Sequence, residues 1–389
     1  MTVVAPGSTQ EAAALLREDA RVVQIAGAGT KHDWGTPPSR VDLTVDTKGL
    51  IGIVEHVAGD LIVVVRAGTP MAQLQAELAR SGQQLALDSP FPQATVGGSV
   101  AANTSGPRRL LYGTVRDLLI GITVVRPDGV VARSGGKVVK NVAGYDLGKL
   151  FTGSSGTLGL ITECAFRLHP LPTASTFLRC QGLSDPARAA ALIRSSQLVA
   201  TAIEVDAPPG GEAEVAVLFE GTPARAEAAR ALIGGELTDE PPPWWGQYPW
   251  QPGGIGLKLT AALSQLDLLL ALREKHSVHL RGSLGVGVLY AGLTPAGQAV
   301  PGPGSGARPA AIDAGGVGAG GGSVVDVVEQ LRAAAHAAGG HAVVLMAPPG
   351  SREQIDMWGP VPGLDLMRRV KQQFDPGGRF APGSFVGGI

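Results

Sequence analysis

Three glycine-rich stretches hold most of the residues whose types and spacing suit ligand binding. They are Gly27-Ala28-Gly29-Thr30, "TVGGSVAANTSG" from Thr95, and "FTGSSGTLG" from Phe151. Glycine leaves the backbone N–H groups accessible because no Cβ stands in the way, and a series of such groups can form a nest for an anion. Almost no acidic residue lies within these stretches, so together they predict an extended ligand that carries phosphate groups.

The first stretch fails as a nicotinamide-dinucleotide fingerprint. That motif is Gly-x-Gly-x-x-Gly and opens a helix whose N-terminus receives the pyrophosphate. Gly27 and Gly29 fit, but His32 stands in the place of the third glycine. Pro37 and Pro38 then prevent a helix of useful length. The interpretations that remain are a backbone nest for a phosphate and an ordinary β-turn.

The other reactive residue types form no catalytic set that we can identify. Cys164 and Cys180 lack metal-ligand spacing and are too few for an iron–sulfur cluster, which takes four thiolates. Buried thiols in a reducing cytoplasm are expected instead. His276 and His279 fit packed or solvated residues better than metal ligands. No Ser/His/Asp or Cys/His nucleophile arrangement is found, so the catalytic residues stay unknown and no metal site is predicted.

The composition argues against a large charged surface. The 389 residues are 44% hydrophobic and carry a formal net charge of −1, so nothing indicates a nucleic-acid partner or an anionic membrane surface. No apolar run reaches the roughly 20 residues that span a bilayer, and no signal peptide opens the sequence. We expect a cytoplasmic protein of two domains that is held to a membrane at most through a partner.

Strands and helices that alternate over residues 1–172 must position the glycine loops. The stretches "RVVQIAG" and "LIVVVRAG" are typical of strands, and each ends in glycine. The stretch "TPMAQLQAELARSG" predicts a helix with Thr69 as N-cap and Pro70 at the first helical position. Thr95 is predicted to cap a second, short helix, and Asp128-Gly129 predicts a hairpin turn.

A second domain with an α+β pattern is predicted from residue 173 onwards. Amphipathic helices in "DPARAAALIRSSQL" and "TPARAEAARALIGGE" flank the strands "AIEVDA" and "EAEVAVLFE", which indicates an antiparallel sheet covered by helices. Residues 295–323 are of low complexity, and their Gly and Pro content predicts a flexible insertion within this domain.

The order of the glycine motifs resembles that of a flavoprotein family. The stretches "TVGGSVAANTSGPRRLLYGTVRDLLIG" and "KNVAGYDLGKLFTGSSGTLGLITE" are similar to the FAD-binding domain of the vanillyl-alcohol-oxidase (PCMH-type) family, including the FAD-binding E-type subunits of bacterial glycolate oxidase. The resemblance implies an α+β fold class with a two-subdomain PCMH-type FAD-binding domain at residues 1–172. It also implies an α+β (ferredoxin-like) cap domain at residues 173–374 and a segment, residues 375–389, that returns to the flavin domain.

The resemblance also implies which residues hold FAD. The residues expected to cradle the pyrophosphate are Ala28, Gly29, Thr30 and Lys31. Those expected to line the flavin and pyrophosphate channel are Pro92, Thr95, Val96, Gly97, Gly98, Ser99, Ala102, Asn103 and Gly106, with Tyr112, Gly113 and Asp117 in the same wall. Those expected at the adenosine or isoalloxazine end are Gly153, Gly156, Gly159 and Ile161. Thr30 stands where some relatives carry a flavin-tethering histidine, so the FAD is predicted to be non-covalent.

The substrate motif of the family is degenerate in this sequence. FAD-linked 2-hydroxy-acid dehydrogenases of this fold carry His-x-Gly-Asp-Gly-Asn-x-His in the cap domain, whereas residues 283–290 keep the glycines and lack both histidines, the Asp and the Asn. Imidazole and carboxylate groups are what a metal ion and a general base require. Lys258 and Arg281 are candidates for binding a carboxylate.

A flavin site with a degenerate substrate site implies a particular role within the family. The resemblance implies the FAD-binding subunit of a glycolate oxidase (D-2-hydroxy-acid dehydrogenase) complex. That subunit holds FAD and transfers electrons with a homologous catalytic flavoprotein and an iron–sulfur subunit. Two alternatives remain, a self-sufficient FAD-linked oxidoreductase of a small hydroxy acid and a non-catalytic flavoprotein scaffold.

Overall fold

The chain folds into two compact units. The computed structural model describes residues 2–136, 145–293 and 323–389. Unit 1 comprises residues 1–171 and 361–389, and unit 2 comprises residues 172–360. Residues 295–322 of the predicted insertion lie outside the described residues, as do residues 140–144, which open the stretch "KNVAGYDLGKLFTGSSGTLGLITE".

Unit 1 begins with short strands and helices that alternate along the chain. In chain order these elements are β1 (Thr2–Val4), α1 (Thr9–Glu18), β2 (Val23–Ala26), β3 (Leu43–Asp46), β4 (Ile53–Val57), β5 (Ile62–Arg66), α2 (Met71–Ala79), β6 (Gln83–Gln84), α3 (Val96–Ala101), α4 (Arg109–Tyr112), α5 (Val115–Leu118), β7 (Leu119–Val125), β8 (Val131–Gly135), α6 (Leu147–Phe151), β9 (Leu160–Arg167) and β10 (His169–Pro170).

Besides the separate two-stranded sheet of β6 and β10, two larger sheets form the two halves of unit 1 within the described residues. One is a parallel sheet in the order β1-β3-β2, and the other is an antiparallel sheet in the order β4-β5-β9-β7-β8. Each has its own apolar core. The core of the antiparallel sheet receives Leu74 and Leu78 of α2, both fully buried, and the core of the parallel sheet receives Leu16 of α1. This arrangement matches the two-subdomain domain that the sequence predicted.

The local signals are confirmed at the start of α3 and at the turn between β7 and β8, and they are wrong at the start of α2, where Pro70 was predicted as the first helical residue. The Thr95 side chain caps α3 and accepts a hydrogen bond from the Gly98 N–H at 3.2 Å. Asp128-Gly129 forms the turn between β7 and β8, where Gly129 has φ +76°. The prediction of Thr69 as the cap of α2 is wrong. Pro70 takes that position, and the Thr69 hydroxyl instead accepts a hydrogen bond from the Gly52 N–H at 2.9 Å.

Unit 2 contains a single long antiparallel sheet with helices on its connections. Its elements are β11 (Ser175–Gln181), α7 (Pro186–Ser195), β12 (Ala202–Ala207), β13 (Glu214–Glu220), α8 (Ala224–Ile233), β14 (Glu236–Thr238), β15 (Ile255–Thr260), α9 (Leu266–Leu270), α10 (Leu272–His276), β16 (His279–Ser283), β17 (Val288–Leu293), α11 (Val324–Ala337), β18 (Ala342–Met346) and α12 (Pro349–Arg352). The described strands pair in the order β14-β11-β13-β12-β16-β17-β15-β18.

This sheet consists of two ferredoxin-like halves joined edge to edge. The first half runs β11-α7-β12-β13-α8-β14 along the chain and β14-β11-β13-β12 across the sheet. The second half runs from β15 to β18 along the chain, with α9, α10 and α11 on its connections. Across the sheet its order is β16-β17-β15-β18, which is the mirror image of the order in the first half. Each is a βαββαβ repeat. β12 and β16 form the antiparallel seam, in which Asp206 pairs with Arg281.

The chain returns to unit 1 after residue 360, earlier than the sequence predicted. Helix α13 (Leu364–Phe374) was expected in the second domain, but Phe374 packs edge-on against Phe151 with ring centroids 5.7 Å apart. Phe380 then forms a parallel bridge with Val23 beside β2. The second unit therefore ends at residue 360 and not at 374, because Val370 and Phe374 of α13 pack against the core of unit 1.

Candidate functional site

The first glycine loop presents a row of accessible N–H groups where β2 ends. Gly29 has φ +73°, a region that favours glycine, and a Cβ added there would meet no atom within 4 Å. The backbone N–H groups of Gly29, Thr30 and Lys31 donate no hydrogen bond to any described residue. Hydrogen bonds from the His32 N–H to the Gly29 carbonyl and from the Trp34 N–H to the Lys31 carbonyl, both 3.1 Å, close the turn behind them. This geometry is a nest that suits a phosphate.

The second glycine element lies directly against the first. A Cβ on Gly27 would stand 2.4 Å from the Thr95 hydroxyl, so only glycine allows these two segments to meet. Gly97 lies similarly close to Ala67, the residue that follows β5. Its N–H donates to the Ala67 carbonyl at 2.7 Å, and a Cβ would come within 2.7 Å of the Ala67 Cβ. Gly27 and Gly97 therefore bring backbone segments together, and they serve the site through packing.

The third glycine element closes the arrangement from the other end of α3. The Gly153 N–H donates to the Val100 carbonyl at 3.0 Å, and the Ser155 N–H donates to the Ala101 carbonyl at 2.9 Å. Gly156, at φ +77°, lies next to Ile25 of β2, with 3.7 Å between a hypothetical Cβ and the Ile25 side chain. The three glycine elements thus meet in unit 1, as expected for one shared site.

Three polar atoms are buried at this junction without a partner. They are Ser99 Oγ, Asn103 Oδ1 and Ser154 Oγ, and none has a hydrogen-bond partner in the described part of the chain. A buried polar atom without a partner costs about 1–3 kcal/mol, and such atoms are rare in folded proteins. A polar ligand bound at the junction would supply the missing hydrogen bonds.

A lysine and two aromatic rings stand beside the first loop. The Lys31 ammonium lies 3.2 Å from Thr30 Oγ1 and 5.3 Å from the centre of the Phe91 ring, and Trp34 packs edge-on against Phe91 with centroids 6.5 Å apart. Burial lowers the pKa of Lys31 to about 8. Sequence reasoning included Lys31 and missed Phe91 and Trp34, although both aromatic residues stand within or next to the glycine motifs.

Several of the expected site residues pack inside unit 1. A Cβ on Gly159 would meet the Val125 carbonyl at 2.9 Å and the Phe151 ring at 3.1 Å, and Ile161 belongs to the core of the antiparallel sheet. Val96 is also fully buried in that core. Gly106 packs on the Cβ of Asp88, where an added Cβ would lie 2.3 Å away. Their places in the structure are explained by packing.

The remaining expected residues lie around α3 to α5. Tyr112 packs on the ring of His169, with centroids 4.6 Å apart. Asp117 accepts hydrogen bonds from the N–H and the hydroxyl of Thr114, and the first of these is the main cause that lowers the pKa of Asp117. Gly113 fits closely over this carboxylate. Ala102 ends α3 beside Asn103, whereas the Pro92 side chain is exposed.

Lys371 fixes the third glycine element from α13. Its ammonium donates to the Thr157 carbonyl at 2.8 Å, to the Phe380 carbonyl at 2.9 Å and to Asp375 Oδ2 at 2.8 Å. The Asp375 side chain is fully buried and also accepts from the N–H groups of Arg379 and Phe380. The sequence spacing of Lys371 and Asp375 is that of an ordinary helix-surface ion pair, so sequence reasoning gave them no role at the site.

The degenerate substrate motif lies at the β16–β17 hairpin in unit 2. At the seam, Asp206 Oδ1 lies 2.6 Å from His279 Nε2 and 2.7 Å from Arg281 Nε. Burial raises the pKa of Asp206, but the hydrogen bonds to these partners outweigh it, and the net pKa falls below its usual value. The sheet register continues from Arg281 to Tyr290 and from Tyr290 to Lys258, so these side chains share one face.

The thiols and acidic clusters add no further reactive centre to the described structure. Cys164 and Cys180 are free and buried, and burial raises the pKa of both thiols, that of Cys180 to about 11. In residues 2–136, 145–293 and 323–389, no group of three or more His, Cys, Asp or Glu side chains is arranged to hold a metal ion. No helix in these ranges is long and apolar enough to cross a membrane.

The comparison with known families identifies the class of the first domain. Residues 2–135 match the family model described as "FAD binding domain". The chain therefore contains an FAD-binding domain, and the prediction of FAD as its cofactor is confirmed, as is the predicted PCMH-type fold class.

The curated relatives include glycolate oxidase subunits and D-lactate dehydrogenases. The chain is 35% identical over 218 residues to glycolate oxidase subunit GlcE of Escherichia coli (strain K12), covering 54% of this chain and 59% of that protein. It is 37% identical over 181 residues to glycolate oxidase subunit GlcD of Bacillus subtilis, covering 45% and 38%. It is 32% identical over 212 residues to D-lactate dehydrogenase [cytochrome] 1, mitochondrial, of Saccharomyces cerevisiae, covering 52% and 36%. The chain thus spans about a third to three fifths of the lengths of these relatives.

Solved structures share the fold across both units. A crystal structure of alkyldihydroxyacetonephosphate synthase matches with a TM-score of 0.67 and 16% identity, covering 98% of this chain and 76% of that one. A second crystal form of the same enzyme gives a TM-score of 0.65. At this identity the match describes the fold only.

The residues at the junction of the glycine elements fit FAD. Accessible N–H groups at Gly29 to Lys31 and a desolvated ammonium suit its phosphates. The buried polar atoms of Ser99, Asn103 and Ser154 suit its other polar groups. The open space beside Gly29 leaves the backbone of the first loop accessible to such a ligand.

Proposed function

We propose that this chain is the FAD-binding subunit of a glycolate oxidase (D-2-hydroxy-acid dehydrogenase) complex. It holds FAD and transfers electrons with a homologous catalytic flavoprotein and an iron–sulfur subunit. The observation that carries the proposal is the meeting of three glycine elements around buried, unpartnered polar atoms in unit 1, without a metal-binding histidine motif at the β16–β17 hairpin.

In this proposal unit 1 binds and orients FAD. The N–H groups of Gly29, Thr30 and Lys31 and the Lys31 ammonium hold its phosphates, and Asn103 and Ser154 hydrogen-bond its polar groups. Bound FAD supplies the capacity to accept and release two electrons. Lys371 keeps the third glycine element in place through the Thr157 carbonyl. Thr30 has no imidazole to form a tether and the His32 side chain is exposed, so the FAD is proposed to be non-covalent.

The chemistry of unit 2 supports a division of labour between subunits. Oxidation of a hydroxy acid needs a base to take the hydroxyl proton, and imidazole is the usual choice. At the seam of unit 2, His279 and Arg281 are both engaged by the carboxylate of Asp206. The side chains of residues 284–290 are Leu, Gly, Val and Tyr, and they include no carboxylate or imidazole.

The partners are proposed from the names of the relatives and from the cysteine count. Two of the relatives are named as subunits of glycolate oxidase, which supports an assembly with other chains. This sequence has two cysteines, fewer than the four thiolates of an iron–sulfur cluster, so a cluster would reside on another chain. Such an assembly would place the chain in the cytoplasm, with membrane contact through its partners.

Activity of the isolated chain tests the proposal. The purified chain, incubated with FAD, should retain flavin absorbance after desalting and should not reduce an artificial electron acceptor with glycolate or D-lactate. Purified from its source with its partners, it should come with iron and a second flavoprotein, and that complex should reduce the acceptor. Acid precipitation should leave the flavin in the supernatant.

Two outcomes would replace the proposal by one of its alternatives. An isolated chain that reduces the acceptor as fast as the complex is a self-sufficient oxidoreductase. An isolated chain that takes up no flavin at all is a scaffold without a working FAD site.

A further inference from the structure

We propose that the ammonium group of Lys31 is the counter-charge of the FAD pyrophosphate, and that this one side chain sets much of the affinity of the site. The inference rests on the proposed function, because it assumes that FAD occupies the junction of the glycine elements. It goes further because it assigns the positive charge of that site to one side chain. The other donors that the first loop offers are neutral backbone N–H groups.

Lys31 differs from two other lysines of the described chain, each of which pairs with a carboxylate. Lys48 pairs with Asp46 at 3.1 Å, and Lys371 pairs with Asp375 at 2.8 Å. Lys31 forms no ion pair with any described carboxylate. Its ammonium contacts the Thr30 hydroxyl at 3.2 Å and lies over the Phe91 ring at 5.3 Å.

These contacts do not replace the water that Lys31 has lost. An ammonium has three N–H donors, and the Thr30 hydroxyl accepts from one of them. A cation over an aromatic ring is stabilised only modestly. Among the described residues, burial is the cause that lowers the pKa of Lys31 to about 8. An anion bound beside this ammonium would offset the cost of its desolvation.

The pyrophosphate of FAD is the anion that fits the position. The N–H groups of Gly29, Thr30 and Lys31 form the nest next to the ammonium, and these groups and the charge act on the same ligand. The Phe91 ring, four residues before the second glycine element, lies next to the ammonium. Charged hydrogen bonds are stronger than neutral ones, so the ammonium contributes more than a single N–H group of the nest.

Binding of three ligands to Lys31→Met tests the assignment. The ligands are FAD, ADP, which carries the pyrophosphate without the flavin ring, and riboflavin, which carries the ring without phosphate. The variant should bind FAD and ADP about 10- to 100-fold more weakly, the range for loss of a charged hydrogen bond. Its affinity for riboflavin should not change. Lys275→Met, at an exposed lysine in unit 2, removes the same charge and should bind all three ligands like the wild type.

The apo variant should also be more stable than the apo wild type. Methionine has a similar length and needs no water, so Lys31→Met removes a desolvated charge and should raise the melting temperature in the absence of flavin. A residue that only supported the fold would show a lower melting temperature on replacement. A gain in apo stability with a loss of FAD affinity is therefore specific to a binding role.

The pH dependence of FAD binding provides a second readout. The protonated lysine binds the anion, so the affinity of the wild type should be full below pH about 8 and should fall by up to about tenfold per pH unit above it. Lys31→Met should show no such decline. Lys31→Arg stays charged and should keep a high affinity without the decline.

The outcomes separate this inference from the proposed function. If the wild type binds FAD, and Lys31→Met binds FAD and ADP as tightly as the wild type does, the role of Lys31 is overturned. The FAD site itself then remains supported. Equal losses for riboflavin and ADP would also overturn it, because the effect would then be a general disturbance of the pocket. Wild type that binds none of the three ligands would remove the site itself.

Discussion

Replacement of Lys371 by methionine should lower the melting temperature of unit 1 by about 6 to 20 °C. Lys371→Met leaves the fully buried carboxylate of Asp375 without its cation and leaves the Thr157 and Phe380 carbonyls without a donor. Removal of one partner of a buried ion pair costs about 3–5 kcal/mol. A unit of about 200 residues shifts by about 2–4 °C for each kcal/mol, which gives the range above.

Flavin release during heating measures this effect on the unit that contains the site. Free FAD fluoresces more strongly than bound flavin, so a temperature ramp with the holoprotein reports the opening of unit 1. Lys149→Met is a matched control, because Lys149 is 56% exposed and its ion pair with Asp146 is worth less than about 1 kcal/mol. That variant should melt within about 3 °C of the wild type.

A double variant isolates the charge from the loss of the side chain. The N–H groups of Arg379 and Phe380 donate to different oxygens of Asp375, so Asp375→Asn in the Lys371→Met background keeps an acceptor for one of them and removes the uncompensated charge. It should recover part of the lost stability. A single variant that melts like the control, or a double variant no more stable than the single, would refute the reasoning.

Two further substitutions test the first glycine loop and the seam of unit 2. Gly29→Val places a β-branched residue at φ +73° in the nest and should abolish flavin retention, while Gly246→Val, at φ +69° in an open loop of unit 2, should retain it. Equal flavin contents would contradict the assignment. Asp206 has a lowered pKa in the folded chain, so it contributes stability above its usual pKa of 3.8 that is lost as the pH falls below that value. In urea unfolding the wild type should therefore be more stable than Asp206→Asn at pH about 7, and this difference in the free energy of unfolding should narrow towards pH about 3. A difference that stays constant with pH would disprove the stabilising role of the Asp206 charge.

Local sequence signals were enough to predict much of the fold. β-Branched runs predicted the strands around Val23 and Ile62, and Thr95 marked the start of α3, because each signal depends on neighbours in the chain. The doubling of the ferredoxin-like repeat was not predicted. In the second half, the first helix of the repeat is divided into α9 and α10. The seam joins Asp206 to Arg281, and these residues are 75 positions apart in the sequence.

The sequence predicted which loops form the site, but it did not predict which residues within them are held by packing contacts. Glycine-rich composition located the three elements, but it does not distinguish a glycine that opens a nest from one that allows close packing. Gly29 has open space beside it, whereas Gly97, Gly106 and Gly159 are held by backbone or ring atoms from elsewhere in the chain. Those contacts depend on tertiary structure and have no signature in the local sequence.

The return of residues 361–389 to unit 1 has a consequence for the order of events during synthesis. Phe380 bridges to Val23, and the Ala381 N–H donates to the Val23 carbonyl at 2.9 Å, so the parallel sheet lacks this neighbour until residue 381 has emerged from the ribosome. All of unit 2 emerges in the meantime and has every strand of its sheet before unit 1 has all of its own. The nascent chain should therefore become able to retain flavin only late in translation, after the cap has folded.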